Sequence, residues 1–269
     1  MMALSLNEYL TAIQIVMVNT TLPANIGSAA RAMHTMGLSK LIVVDPKLPI
    51  DDTSEAYAAG GIDILTQAKI CPTLDDAIQD CQLVFAASSR SRHLPRPVVN
   101  PSQAAALIAN FIDTQPSKTV PNIAILFGRE DRGLTNDELA AADYHIQINA
   151  NPDYPVLNVA SAVQVIASFV FTYLQSHVTN KADNPQHESS PTIQTLQRQH
   201  WDEPAISQSQ LQQLTQNITK LMVTRKLADP DHLRALPSRL SRLSSRLQLD
   251  QKEYQLLSAL IAKLLKESP

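Results

Sequence analysis

The chain has 269 residues, 44% of them hydrophobic, enough for one large domain or one domain with a small appendage. Aromatic residues make up only 4%, which excludes a stacking platform for single-stranded nucleic acid, and the two cysteines, Cys71 and Cys81, exclude a disulfide framework or a cysteine metal cluster. The formal net charge of −3 hides an asymmetry: residues 207–266 carry ten Lys and Arg against four Asp and Glu, a net of +6 that leaves −9 for the rest, and such a split marks an attached module for nucleic acid or membrane.

The first residues, MMALSLNEYL, lack a charged segment followed by a long apolar run, so no signal peptide is expected. Ile13–Val18 is a compact β-branched run that predicts a strand. An Ala-rich helix follows from about Asn25 to Met36, with Asn25 as its N-cap and Gly37 just past its C-terminal cap. Leu41–Val44 predicts a second strand, and helical stretches follow near Ser54–Ala59 and Leu74–Gln79. Leu83–Ala86 is a strand running into Ser88-Ser89-Arg90. Asn100-Pro101, a cap followed by proline, opens a helix to about Phe111. Ala124–Phe127 is a strand ending at Gly128, and Thr135 with Glu138 forms a capping-box pattern. Tyr144–Ile148 is the last strand, and a long helix begins near Asn158. The longest apolar stretch, Val159–Leu174, is broken by Gln164 and short for a bilayer, so it reads as a buried helix and no membrane is expected. Short strands alternating with helices predict an α/β domain with a mostly parallel sheet over residues 1–176.

Residues 177–200 are polar and turn-prone and read as a flexible linker. Beyond it, residues 201–269 form a small helical C-terminal module. There Leu236, Leu240, Leu243 and Leu247 make an apolar stripe with Arg239, Arg242 and Arg246 beside it. Those arginines read either as a solvated face or as phosphate contacts, and the +6 charge of the module supports the second. A last helix runs from Asp250, its N-cap, to Lys266, with Leu256, Leu257, Leu260, Ile261 and Leu264 as its buried face.

The arginines are sorted. All those in the first 197 residues fall in three segments: Arg31 in NIGSAARAM, Arg90, Arg92 and Arg96 in SSRSRHLPRP, and Arg129 and Arg132 in FGREDRGLT. The five lysines of the same stretch lie outside them. Arginine offers a planar, permanently charged fork that suits phosphate and carboxylate, whereas lysine is the ordinary solubilising cation. Each segment follows a strand-like run, and in parallel sheets ligands bind outside the carboxyl ends of the strands. The pattern predicts one composite site for an anionic ligand. No GxGxxG follows the first strand, and neither GxxxxGK[ST] nor GxSxG occurs, so dinucleotide, P-loop and α/β-hydrolase chemistries lack their signatures. The seven histidines show no metal-ligand spacing; His34, His93 and His145 read as surface or packing residues, and no metal is expected.

Three blocks carry a resemblance: VNTTLPANIGSAARAMHTMGLSKLIVVD from Val18, the loop Ala87–Arg92, and LFGREDRGLTNDELAAADYHIQINANPDYPVLNVASA from Leu126. In order and spacing the chain resembles, over most of residues 13–175, the SPOUT (SpoU-like) superfamily of trefoil-knotted methyltransferases. Within it the resemblance is to the bacterial tRNA 2′-O-methyltransferases that modify cytidine or uridine at nucleotide 32 of the anticodon loop. It implies an α/β fold with a C-terminal knot, which topology rules alone would not predict. It also implies S-adenosyl-L-methionine (AdoMet) as methyl donor, S-adenosyl-L-homocysteine as product, tRNA as substrate, and a cytoplasmic location. An obligate homodimer is implied as well, with residues of both chains completing each site.

Carried residue by residue, the resemblance assigns Arg31, Asn25, Glu130 and Asn158 to catalysis, Glu130 orienting Arg31 or a substrate hydroxyl. It places the methyl donor among Ala87, Ser88 and Ser89; Gly128; and Ile148, Pro155, Val156 and Leu157. Gly128 is expected to let the backbone approach that donor closely. Arg90, Arg92, Arg96, Arg129, Arg239, Arg242 and Arg246 are the expected RNA contacts, and Arg132 is left without a role. Two positions depart from the family: Val156 stands where serine is common and Ala87 where threonine is common. Ribosomal RNA as substrate, or a non-catalytic RNA-binding protein of the same fold, are the alternatives.

Overall fold

In the computed structural model, which describes residues 4–89, 96–116, 120–183, 201–233 and 235–266, the β-branched runs stack side by side and the helices between them cover both faces. In chain order the elements are α1 (Leu6–Thr11), β1 (Ile13–Val18), α2 (Pro23–Thr35), β2 (Lys40–Val44), α3 (Asp52–Ala58), α4 (Ile62–Thr66), β3 (Lys69–Cys71), α5 (Leu74–Ile78), β4 (Leu83–Ala87) and β5 (Val98–Val99). There follow α6 (Pro101–Asp113), β6 (Ile123–Phe127), α7 (Asn136–Ala140), β7 (Tyr144–Ile146), α8 (Val159–Asp183), α9 (Gln208–Thr224), α10 (Leu236–Leu247) and α11 (Gln251–Lys266).

The seven strands form one sheet in the order β3-β2-β1-β6-β4-β7-β5, and every pair is parallel. All six residues of β1 are buried, because both faces are covered and the strand needs no polar alternation. Ile13, Ile15 and Met17 point to the layer built with α1, α2, α6 and α8, while Val16 and Val18 point to the opposite layer with α5 and α7. The chain leaves β4 for the edge strand β5, returns through α6 to lay β6 on the far side of β4, and then inserts β7 between β4 and β5. That order sets the carboxyl ends of β6, β4 and β7 side by side.

Two details of α2 bear on the site. The helix starts three residues earlier than expected, with Leu22 as its cap and Pro23 at its first position, so Asn25 is not the N-cap and its side chain is released for other contacts. At the other end Gly37, at φ +68°, closes a Schellman motif: its N–H donates to the His34 carbonyl at 3.2 Å and that of Leu38 to Met33 at 3.0 Å. α8 runs on to Asp183, into the segment expected to be a linker. Its portion Val159–Asn180, 22 residues of mean hydropathy 1.4, meets the length and composition of a membrane span. Here Val163, Ile166, Ala167, Val170 and Leu174 are buried in the core against α2 and α6.

The helical module differs from its sequence pattern. Leu256 and Leu260 are 71% and 52% exposed, not buried, and Leu243 and Leu247 of the α10 stripe are also exposed. The inward face of α11 is Tyr254, Leu257, Ile261 and Leu265, turned toward Leu211, Leu214, Ile218 and Leu221 of α9. That glutamine-rich helix did not register as a core element in the sequence. The N-terminus of α9 also fastens the module to the main domain: the backbone N–H groups of Gln208 and Ser209 donate to the carbonyls of Cys81 and Gln79 at 2.8 and 3.1 Å. Gln208 Nε2 donates to Asp143 Oδ2 at 3.3 Å.

Asp143 is partly buried, and desolvation pushes its carboxyl up to about 6 against the opposing effects of the Val84 N–H, the Arg96 guanidinium and the Gln208 amide. A raised carboxyl binds its proton more tightly in the folded than in the unfolded chain. Its stabilising contribution is therefore complete below about pH 4 and lost as pH rises through about 6. The expected result is that unfolding free energy falls across that window by on the order of 2 kcal/mol in the wild type relative to D143N, which lacks the titration. Denaturant melts of both proteins between pH 4 and pH 8 measure it; parallel profiles would contradict it.

Candidate functional site

The three carboxyl-terminal strand ends open into one cleft. Its walls are Ala87, Ser88 and Ser89 after β4, the turn Gly128–Leu134 after β6, and Ile146, Ile148 and residues 155–157 after β7, with Val159 and Ala162 of α8 below. All eight residues expected around the methyl donor thus line a single cavity, together with Arg129, Glu130, Asp131 and Arg132.

Gly128 lines the cleft and also serves the turn itself. A Cβ built there would lie 2.2 Å from both Gly133 C and Leu134 N, so the close approach is to the turn's own backbone. The turn closes through an Arg129–Gly133 bridge, with the Gly133 N–H donating to the Arg129 carbonyl at 2.9 Å.

Glu130 stands at the centre of a network that joins two of the predicted segments. Its Oε2 accepts from the Thr21 N–H at 3.1 Å and the Thr21 hydroxyl at 2.7 Å; its Oε1 accepts from the Leu22 N–H at 3.3 Å and Asn25 Nδ2 at 2.7 Å. Burial acts to raise this carboxyl, but the hydrogen bonds from Asn25 and Thr21 outweigh it and hold it below the usual range. The carboxylate stays ionised and ties the start of α2 to the cleft. Asn158 extends the network: its Nδ2 donates to Asn25 Oδ1 at 3.0 Å while its Oδ1 caps α8 through the Ala160 N–H at 2.9 Å. Asn25, Glu130 and Asn158 are thereby brought together. Arg31 is not among Glu130's partners; it stands exposed on α2, outside the cleft lining.

The remaining arginines divide. Arg129 was expected to contact RNA, but its fork is turned inward, donating to Glu138 Oε1 and Oε2 at 2.8 and 2.9 Å, to the Gly133 carbonyl at 3.3 Å and to Asn19 Oδ1. The side chains of Arg129 and Glu138 are 15% and 14% exposed, so this pair braces the turn. Burial would raise Glu138, yet the bond from Arg129 leads the effects that lower it. Arg96, another expected RNA contact, is largely buried and donates to the Ala140 carbonyl at 2.7 Å beside Asp143. Arg239 and Arg246 are exposed on α10 and Arg242 is half-buried. Arg90 and Arg92 lie outside the described residues.

Sequence reasoning missed Asn19 and Thr21, both just past β1. Glu138 was visible only as a capping-box residue; it does accept from the Thr135 N–H at 2.7 Å, and the same carboxylate holds Arg129. Among the described residues no three His, Cys, Asp or Glu side chains cluster as metal donors.

The model of the SpoU rRNA Methylase family matches residues 12–168. The tRNA (cytidine/uridine-2′-O-)-methyltransferase TrmJ of Pectobacterium atrosepticum is 35% identical over 94% of this chain and 97% of its own length. The TrmJ of Citrobacter koseri is 42% identical over 69% of this chain and 74% of its own. Among solved structures, TrmJ from Z. mobilis ZM4 superposes with a TM-score of 0.74 at 27% identity, covering 94% of this chain and 99% of that one.

Proposed function

This chain belongs to the SpoU rRNA methylase family, and on that premise we propose that it transfers a methyl group from AdoMet to the ribose 2′-oxygen of cytidine or uridine 32 in tRNA. The observation that carries the reading is that similarity to named tRNA methyltransferases continues past residue 168, where the family model stops, through the basic helical module. Similarity confined to the methylase domain would leave ribosomal RNA an equal substrate.

The cleft suits the donor. Val156 and Leu157 present 45% and 38% exposed apolar side chains at its edge, a surface that a purine ring would cover, while Ser88, Ser89 and Asp131 offer polar groups for ribose and a charged tail. Bound there, AdoMet supplies an electrophilic methyl group on sulfonium. Val156 and Ala87 carry no hydroxyl, so recognition at those positions falls to backbone groups, and Pro155 offers only its carbonyl.

Arg31 holds the substrate's phosphate and stabilises negative charge developing on the 2′-oxygen. A guanidinium stays protonated at neutral pH, so it is no general base. The network of Glu130, Asn25 and Asn158 fixes the first turn of the helix that carries it. Arg31's position outside its own chain's cleft supports a homodimer in which each α2 serves the partner's site. Two copies of the basic module would then flank one tRNA, in the cytoplasm.

Labelled-methyl transfer to purified tRNA and to rRNA tests the reading, with nucleoside mapping of the product. Label at nucleotide 32 of tRNA is expected; incorporation into rRNA alone would overturn it.

A further inference from the structure

We infer that Arg132, at the rim of the cleft, binds a backbone phosphate of the tRNA beside the nucleotide being methylated; the inference rests on the tRNA reading above.

The turn after β6 carries two arginines three residues apart, and they face opposite ways. Arg129 is consumed in the internal brace with Glu138 and Asn19. Arg132 lines the same cleft, yet its side chain is 71% exposed. Its Nε donates to Asp131 Oδ2 at 2.9 Å, and Asp131 is itself 57% exposed. An ion pair this open to water contributes at most about 1 kcal/mol, so a monoanionic backbone phosphate, which can accept from the guanidinium fork, can exchange for the carboxylate. Asp131 acts as an exposed, exchangeable counter-ion for the guanidinium.

Space is available for that ligand. A Cβ built on Gly133, the next residue, would meet nothing within 4 Å, so the outer side of the turn beside Arg132 is open. Methyl transfer requires the 2′-oxygen to come within roughly 3–3.5 Å of the methyl carbon. A ribose so placed carries its own flanking phosphates across the rim, where Arg132 stands. The residue contacts no reacting atom in this arrangement, so it positions the substrate and its loss falls on tRNA binding.

The test is tRNA binding and kinetics of R132A, R132K and D131N over a salt series. For R132A the tRNA Kd and KM are expected to rise about fivefold to tenfold at about 0.1 M salt, and the slope of log K against log salt to flatten by roughly 0.7–0.9, the signature of one lost phosphate contact. R132K keeps the slope because it keeps the charge, and D131N binds tRNA a few-fold more tightly. Unchanged tRNA affinity and slope in R132A would overturn the inference, as would a matching loss of AdoMet affinity, which would place Arg132 in the donor site. Wild-type protein that neither binds nor methylates tRNA would overturn the tRNA reading itself and this inference with it.

Discussion

Arg31→Ala is expected to slow methyl transfer about 10²–10³-fold while AdoMet affinity stays within a few-fold of wild type. The contribution at stake is electrostatic, made to charge that develops only as the 2′-oxygen attacks. Removing it therefore lowers kcat more than it weakens ground-state binding. The structure supports the separation of the two effects, because Arg31 is exposed on α2 and outside the residues that line the cleft proposed for the donor. Its side chain supports no core packing, so the variant should melt near the wild-type temperature. Single-turnover kinetics with saturating tRNA, alongside calorimetric titration of AdoMet, measure both quantities. Turnover near normal would remove Arg31 from the mechanism.

Gly128→Ala is expected to do the reverse, weakening AdoMet binding at least tenfold and lowering stability by about 1–3 kcal/mol or more. The added methyl group would lie 2.2 Å from two backbone atoms of Gly133 and Leu134, and neither can rotate away as a side chain could. The turn must open, and with it go the Arg129 bridge and the alignment of Glu138. Because Glu130 lies in the same turn, the tie to Thr21 and Asn25 is disturbed as well. Calorimetry and a denaturant melt decide the matter: wild-type donor affinity in G128A would show that the turn's closure is dispensable.

The two variants also show what could be read in the chain before its fold. Strands buried on both faces announce themselves as short, nearly continuous apolar runs, so β1, β2, β4 and β6 were legible almost to the residue. β3 and β5, three and two residues long, carry no pattern that a short loop would not also show. In the helical module periodicity found Leu257 and Ile261 of the inward face of α11 but added Leu256 and Leu260, which are exposed, because α9, rich in glutamine, was not seen as the packing partner that sets the face. At the site, residue type revealed the arginines yet not their direction. Whether a guanidinium meets a sheltered carboxylate nine residues away or an exposed one beside it depends on the turn between them, and this separates Arg129 from Arg132. The cleft-lining residues came from resemblance, since backbone-mediated recognition leaves little trace in side-chain chemistry.

The insertion of β7 between β4 and β5 has a kinetic consequence. Most sheets grow at their edges, but here the penultimate gap must be filled by a strand made after both of its neighbours. β5 cannot dock in its final place until β7 arrives, so the sheet is completed from within, through contacts distant in sequence that form slowly. The cleft proposed for the donor draws on the ends of β4, β6 and β7, so it is incomplete until β7 is in place. Gain of AdoMet binding during refolding is therefore expected to lag the recovery of helical signal, and simultaneous recovery of the two would show that β7 is not the late strand.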